Sequence, residues 1–369
     1  MKMTFRWYGS FMDPIPLKYI RQIPGITGVV TSLMDLPAGE LWPLDRLKEL
    51  KKEVNGSGLE LEVIESVNIH EDIKLGLPSR EQYIENYKET IRNLGKIGVK
   101  VICYNFMPVF DWTRTSLDRV LPDGSNTMSY DQDIIDKITD PQKFADEIQN
   151  QTGEFEMAGW EPERMTELKR LFKAYETVSH EKLKENLKYF LKAVIPVCEE
   201  CDIRMAMHPD DPPWDIFGLP RIAHSLKAYE EIISMVDSPY NCITLCTGSL
   251  GSDPDNHLPE IIRHFGRKNR IAFVHARNLK IEEPGKFYES SHLSEDGSFD
   301  MYEIMKALNE VGYDGYIRPD HGRMIWGERG RAGYGLFDRA LGIAYLNGIQ
   351  ESIEKQKGNI YVGIENVTA

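Results

Sequence analysis

The run VKVICYNFMP, residues 99–108, is broken by polar side chains only at Lys100 and Asn105. A stretch rich in Val, Ile and aromatic residues and without strict alternation leaves no face for water. That is the pattern of a parallel strand covered on both sides. Seven other segments share this character: FRWYG (5–9), GITGVVTSL (25–33), LELEVIES (59–66), IRMAMHPD (203–210), CITLCTGS (242–249), IAFVHARN (271–278) and YIRPDHG (316–322). Most are followed by helical periodicity, as in LDRLKELKKEVNGSG (44–58), with glycine at its end, and REQYIENYKETIRNLGKIG (80–98). Eight strands alternating with helices specify an α/β protein, a (β/α)8 TIM barrel.

Successive strands mostly lie about 30–40 residues apart, as a strand and helix with their loops require. The gap after the fourth strand is much longer and is rich in charge and turn residues, as in LPDGSNTMSYDQD (121–133) and DPQKFADEIQNQTGEFEMAGW (140–160). An insertion there lands on the C-terminal face of a barrel, where barrel enzymes keep their active sites. Residues 108–165 are therefore expected to form a helical cap or lid within one TIM-barrel domain spanning 1–369.

The formal net charge is −14 and the pI near 5.2. Such a surface repels phosphate backbones and anionic lipid, so neither nucleic acid nor membrane is expected as a partner. The opening MKMTFRWYGS lacks a long apolar core with a cleavage site, and no run approaches a membrane span. Five irregularly spaced cysteines make no disulfide framework. Reduced thiols and a cytoplasmic protein are the expectation. Cys198 and Cys201, in CEEC, lack a second pair and sit near a helix end, so they read as packed thiols rather than a zinc or redox motif.

The polar residues at the strand ends carry the chemistry. The fifth strand ends at His208, the sixth at Cys246, the seventh at His275 and the eighth at Asp320. A barrel puts them at one level, and imidazole, thiolate and carboxylate together with an open position suit a catalytic divalent cation. Softness alone favours Zn²⁺ or Fe²⁺ over Mg²⁺ or Mn²⁺ at a thiolate. With Asp320 given to the metal, His321 and Arg323 remain for substrate, a neutral-pH acid or base and a bidentate grip for a carboxylate. Glycines in RGRAGYGLFDRA (329–340) let backbone approach a ligand and bring Tyr334 near the pocket. Arg6 and Trp7 end the first strand and Asn105 the fourth, which places them on the pocket floor. Asp210 and Asp211 follow a ligand histidine and are expected to orient it from behind. His292, after the seventh strand, is a candidate substrate contact.

At these motifs the sequence closely resembles the mannonate dehydratase family. The resemblance is carried by MAMHPDDPPWDIFGLPRI (205–222), LCTGSLG (245–251), FVHARN (273–278), YIRPDHGRMIWGE (316–328) and GYGLFDRALGIAYLNGI (333–349), and MTFRWYG (3–9) fits as well. It runs from end to end. It implies a xylose-isomerase-like barrel that uses Mn²⁺ or Fe²⁺, one per subunit, to convert D-mannonate to 2-keto-3-deoxy-D-gluconate in hexuronate breakdown. It further implies His208, Cys246, His275 and Asp320 as metal ligands, His321, Arg323 and Tyr334 at the substrate, and a homodimer or higher homo-oligomer. An aldose–ketose isomerase or epimerase on the same barrel would carry carboxylates from several strands. A DNA-repair nuclease would need more ligands and a basic face. A non-enzymatic barrel would have lost some of these residues, and all are present.

Overall fold

The computed structural model describes residues 1–151 and 167–357. Its twelve strands, in chain order, are β1 (Lys2–Arg6), β2 (Ile26–Thr31), β3 (Glu60–Glu65), β4 (Val101–Tyr104), β5 (Ser116–Val120), β6 (Asn126–Asp131), β7 (Arg204–Met207), β8 (Asn241–Cys246), β9 (Ile271–Ala276), β10 (Leu279–Glu283), β11 (Lys286–Glu289) and β12 (Tyr316–Pro319). Eight of them close a barrel in the order β1-β12-β9-β8-β7-β4-β3-β2. Every pairing in it is parallel, including β1 with β12, where Lys2 faces Tyr316 and Met3 faces Ile317. These are the eight runs identified above, so the expected TIM barrel is the observed one.

Continuous apolar runs work here because each strand is buried on both faces. Val30, Val63, Val101, Cys103, Ala206, Cys242, Ala272 and Phe273 cluster together, whereas the alternate residues Ile64, Ile102, Met205 and Val274 join the larger core packed with the helices. The helix Leu44–Gly56 contributes Leu47, Leu50 and Val54 to that core, an i, i+3, i+7 stripe. Cys198 is buried in the long helix His180–Cys201 and Cys201 is half-buried; all five cysteines are free.

The insertion after β4 departs from the expected helical cap. It opens as the hairpin β5–β6, which joins the hairpin β10–β11, from between the seventh and eighth barrel strands, in one sheet of order β10-β11-β6-β5. Helices Gln132–Ile135, Pro141–Gln151 and Leu168–Tyr175 follow. The physical reason is visible in β6: Thr127 to Tyr130 are all buried because this sheet has a core of its own, formed by Trp112, Leu117, Met128, Tyr130, Leu279 and Phe287 among others. Turn residues such as PDGSN, between the two strands, announce a hairpin rather than a helix. The part of the expected lid from 152 to 165 lies outside the described residues, as does 358–369. Among the described residues, no helix is long and apolar enough to cross a membrane.

Candidate metal and substrate site

Each expected ligand sits at the C-terminal end of its barrel strand. His208 directly follows β7, and its Nδ1–H donates to the Pro209 carbonyl at 2.7 Å, which leaves Nε2 bare and aimed inward. Nε2 lies 3.2 Å from Nδ1 of His275, on β9. Cys246 ends β8, and its sulfur accepts from the Ser249 hydroxyl at 3.1 Å and the Ser249 N–H at 3.5 Å. Donor atoms of His208, Cys246 and His275 all lie within 4.8 Å of one another. Asp320, just past β12, brings Oδ2 to 3.6 Å from the Cys246 sulfur and 3.8 Å from His275 Nδ1. Two imidazole nitrogens, a sulfur and a carboxylate oxygen converge, the sulfur also accepting from Ser249 and the carboxylate oxygen from Arg277, and this donor set fits a divalent cation with mixed N, S and O ligands.

Asp320 is kept ionised by its surroundings. Burial would raise its pKa, but Arg318, donating to Oδ1 at 2.6 Å, together with His321, His275 and Arg277 holds it well below the usual carboxylate range. Arg318 also makes two bonds to Glu65, at 2.9 and 3.1 Å, and Glu65 Oε2 lies 3.3 Å from His275 Nε2. Glu65 is likewise held well below its ordinary range, against the opposing effect of burial, chiefly by Arg318.

His321 and Tyr334 meet. His321 Nε2 is 2.8 Å from the Tyr334 hydroxyl, and both line one cavity with Arg6, Asn105, His208 and Asp320. Burial pushes the Tyr334 phenol well above its usual pKa, so it carries its proton throughout the neutral range. Around this pair lies a fully buried network. Arg114 donates to both oxygens of Asp211 (2.8 and 3.1 Å) and twice to Glu289 Oε1 (2.6 and 3.0 Å). Arg277 donates to Asp211 at 2.9 Å and to Asp320 at 3.2 Å. Burial opposes ionisation of both acids, yet the arginines keep Asp211 far below its ordinary value and hold Glu289 at about 2.

Five expectations are corrected by the packing, for Trp7, Arg323, His292, Asp210 and Asp211. The Trp7 indole belongs to the hydrophobic core and donates to the Ile15 carbonyl at 3.1 Å. The next residue, Tyr8, lines the cavity instead, with a buried hydroxyl that has no hydrogen-bond partner among the described residues. Arg323 is engaged by Asp338 at 3.0 Å and Asp123 at 2.9 Å and is absent from the cavity lining. His292 is buried beside Gly342, outside the lining, and burial lowers its pKa. Asp210 accepts from the Ala223 N–H at 2.7 Å and so ties down the loop after β7 rather than orienting His208. Asp211 does line the cavity but is held by the arginines, and the Pro209 carbonyl orients His208.

Several residues at the site went unremarked in the sequence. Glu65 ends β3 by the same rule that found the ligands, so its signal was available. Arg114, Arg277 and Glu289 come from loops and from the second sheet, and their pairings across 97 and 175 residues leave no local pattern.

A closed parallel barrel with such a donor set at its strand ends defines a TIM barrel with a candidate divalent-metal site. A D-mannonate dehydratase (UxuA) family model matches residues 1–360. The mannonate dehydratase of Thermotoga neapolitana is 58% identical over 357 residues, which cover 97% of this chain and 99% of that protein. The crystal structure of mannonate dehydratase from Streptococcus suis serotype 2 superposes with a TM-score of 0.88 at 45% identity, over 97% of this chain and 96% of that one. A D-tagatose 3-epimerase-like protein matches with a TM-score of 0.54 at 13% identity, over 97% of this chain and 100% of that one, a likeness of fold alone. The chain belongs to the D-mannonate dehydratase family and is accordingly an enzyme, a dehydratase of the lyase class.

Proposed function

We propose that the chain removes water from D-mannonate to give 2-keto-3-deoxy-D-gluconate, a step of hexuronate (glucuronate) breakdown in the cytoplasm, with one Mn²⁺ or Fe²⁺ held by His208, Cys246, His275 and Asp320. The observation that carries this is the His321–Tyr334 pair, 2.8 Å apart, facing the same cavity as His208 and Asp320 of the ligand cluster. Held by these four residues, such a cation would supply Lewis acidity toward the charge that develops on the substrate.

The chain's own residues do the rest. Elimination breaks the C2–H and C3–O bonds and forms a C2=C3 enol, which tautomerises to the 2-keto acid. His321 Nε2 takes the C2 proton. Tyr334, kept protonated by burial, delivers its proton to the departing C3 hydroxyl, so water leaves and the proton count closes. Arg6 offsets the substrate carboxylate. It and Arg277 are the arginines lining the cavity, and Arg277 is already bound to Asp211 and Asp320. Arg6 has no ion pair among the described residues, its guanidinium donating only weakly, to the Val30 carbonyl at 3.5 Å and the Met34 sulfur at 3.7 Å. Asn105 is in reach of a substrate hydroxyl.

The experiment is a coupled assay on chelator-stripped protein given D-mannonate and then Mn²⁺, Fe²⁺, Zn²⁺ or Mg²⁺, with the 2-keto-3-deoxy acid detected. Product with Mn²⁺ or Fe²⁺, lost in His208→Ala and Cys246→Ala, supports the function and the ligand set. A folded, metal-binding protein that makes no product with any cation refutes the function.

The chain is further proposed to pair with a second copy. Tyr19, Trp326, Phe337 and Leu341 are exposed, Trp326 at 74%, and Trp326 packs at a tilt against Phe337, whose groove with Tyr19 is mostly apolar. With 150–250 Å² per aromatic, this face leaves several hundred Å² in water, roughly the apolar share of the ~800 Å² each partner of a stable dimer buries. Light scattering should give twice the chain mass and, for Trp326→Glu, the chain mass alone. A monomeric parent refutes the pairing.

A further inference from the structure

We infer that Glu289, on the second sheet rather than the barrel, is a positioning residue that holds His321 as the Nδ1–H tautomer, so that Nε2 is free to accept a proton. This rests on the proton-transfer role proposed for His321 and Tyr334.

Glu289 ends β11, where burial alternates: Phe287 and Glu289 point inward and Lys286 and Tyr288 outward. The strand is fixed on both sides, by pairing with β10 and β6 and by the Thr127 hydroxyl, which donates to the Glu289 carbonyl at 2.6 Å. Glu289 Oε1, anchored by two Arg114 donors, lies 3.1 Å from His321 Nδ1. The other face of the ring is set by Trp112, edge-on at 5.3 Å between centroids.

Two neighbours compete for Nδ1. Arg277 Nη1 is also 3.1 Å away, and its N–H would favour a bare Nδ1 and a proton on Nε2. The two are not equivalent. Arg277 Nη1 has another acceptor, Asp320 Oδ2 at 3.2 Å. Glu289 Oε1 keeps its two Arg114 donors and Oε2 lies 3.5 Å from Arg277 Nε in either case, but a bare Nδ1 would set a lone pair against Oε1 at 3.1 Å. A buried anion facing an acceptor at that distance costs more than a guanidinium N–H that keeps its second partner. Nδ1 therefore carries the hydrogen and Nε2 accepts from the Tyr334 hydroxyl. The logic is that of the acid behind a catalytic histidine in a hydrolase triad, which fixes tautomer and orientation without itself reacting.

The test uses Zn²⁺-loaded full-length protein labelled with ¹⁵N at histidine, with the His321 ring signals assigned by their loss in His321→Gln. The parent should show a protonated Nδ1 and a bare Nε2. In Glu289→Leu, which removes the acceptor, the proton should move to Nε2 and kcat should fall on the order of 10²–10⁴-fold with little change in KM, the range for a mis-set general base. Glu289→Gln keeps an oxygen before Nδ1 and should retain the parent tautomer and turnover within about tenfold, although both variants uncover buried arginine charge and melt earlier. A purely structural role predicts instead that the two variants lose activity in step with stability. A proton on Nε2 in the parent, alone or with one on Nδ1, overturns the inference, as does an unchanged tautomer in Glu289→Leu. Should Glu289→Leu fail to fold, the parent and Glu289→Gln spectra still decide. Because the spectra need no substrate, a correct tautomer in a protein inert toward D-mannonate would sink the substrate assignment and leave the positioning role standing.

Discussion

Replacing Gly248 by alanine tests whether the buried arginine network must stay where it is. Gly248 lies in the short helix Thr247–Gly251 that leads away from Cys246, and an added Cβ would fall 1.8 Å from Arg277 Nε, 2.6 Å from its Cζ and 2.8 Å from its Cδ. Reaching ordinary contact at 3.4 Å requires the guanidinium to retreat by roughly 1.6 Å. An exposed arginine would swing aside at little cost. Arg277 is fully buried, and a shift of that size opens its bonds to Asp211 (2.9 Å) and Asp320 (3.2 Å). Overpacking costs about 1–3 kcal/mol and each of the two charge-assisted bonds about 1.5–3, so a total of about 4–9 kcal/mol is expected. Because Asp320 and His321 both touch Arg277, a displacement above 1 Å should also lower kcat by on the order of 10²-fold. Thermal unfolding, metal content and steady-state turnover of D-mannonate measure the three effects. Gly348→Ala is the control: it is exposed in the helix Phe337–Gln356 with nothing within 4 Å of its added Cβ, and should stabilise by about 0.5–1 kcal/mol with activity unchanged. If Gly248→Ala melts within about 2 °C of the parent and turns over normally, the network is soft and the reasoning fails.

Arg6→Gln should raise KM for D-mannonate on the order of 10²-fold through loss of the cavity-lining arginine that has no ion pair among the described residues, whereas Arg323→Gln should lower the melting temperature with KM within about threefold, since its partners are Asp338 and Asp123; the reverse pattern would return the carboxylate to Arg323. In Tyr334→Phe, deuterium from solvent should still exchange into C2 while elimination stops and metal content holds, and loss of exchange as well would make Tyr334 part of the base. Glu289, at about 2 when folded, lies below its unfolded value, so its contribution to stability is complete above about pH 4.5 and is lost as pH falls toward 2. The melting temperature should begin to drop below about pH 4.5, followed by circular dichroism, and a flat profile down to about pH 3 would contradict the ion-pair assignment.

The barrel was legible because burying a parallel strand on both faces removes alternation, and the eight continuous apolar runs are that constraint written in sequence. The ligand candidates were legible for a related reason: a polar residue that abruptly ends such a run must face the loop side, and His208, Cys246, His275 and Asp320 all do. The same rule applied to LELEVIES would have found Glu65. Trp7 misled because a strand end alternates sides and the bend after β1 sends the indole into the core while Tyr8 takes the cavity. Arg323 misled because proximity to Asp320 in the chain says nothing about Asp338, fifteen residues on, which claims its guanidinium. Arg114 and Glu289 were out of reach, since a contact across 175 residues has no spacing to recognise. The joining of the hairpins β5–β6 and β10–β11 into one sheet was hidden for the same reason, as each gains its burial from the other, although the turn residues of the first were there to be read.

The closure of the barrel by β1 against β12 has a consequence for how the chain is made. Lys2 and Met3 take their second set of backbone partners from Tyr316 and Ile317. At synthesis rates of about 5–20 residues per second, the strand that leaves the ribosome first waits roughly 15–60 s with one edge unpaired. Through that interval it is a template for any other extended chain nearby, so crowded translation on one message is a condition that exposes this fold to mispairing.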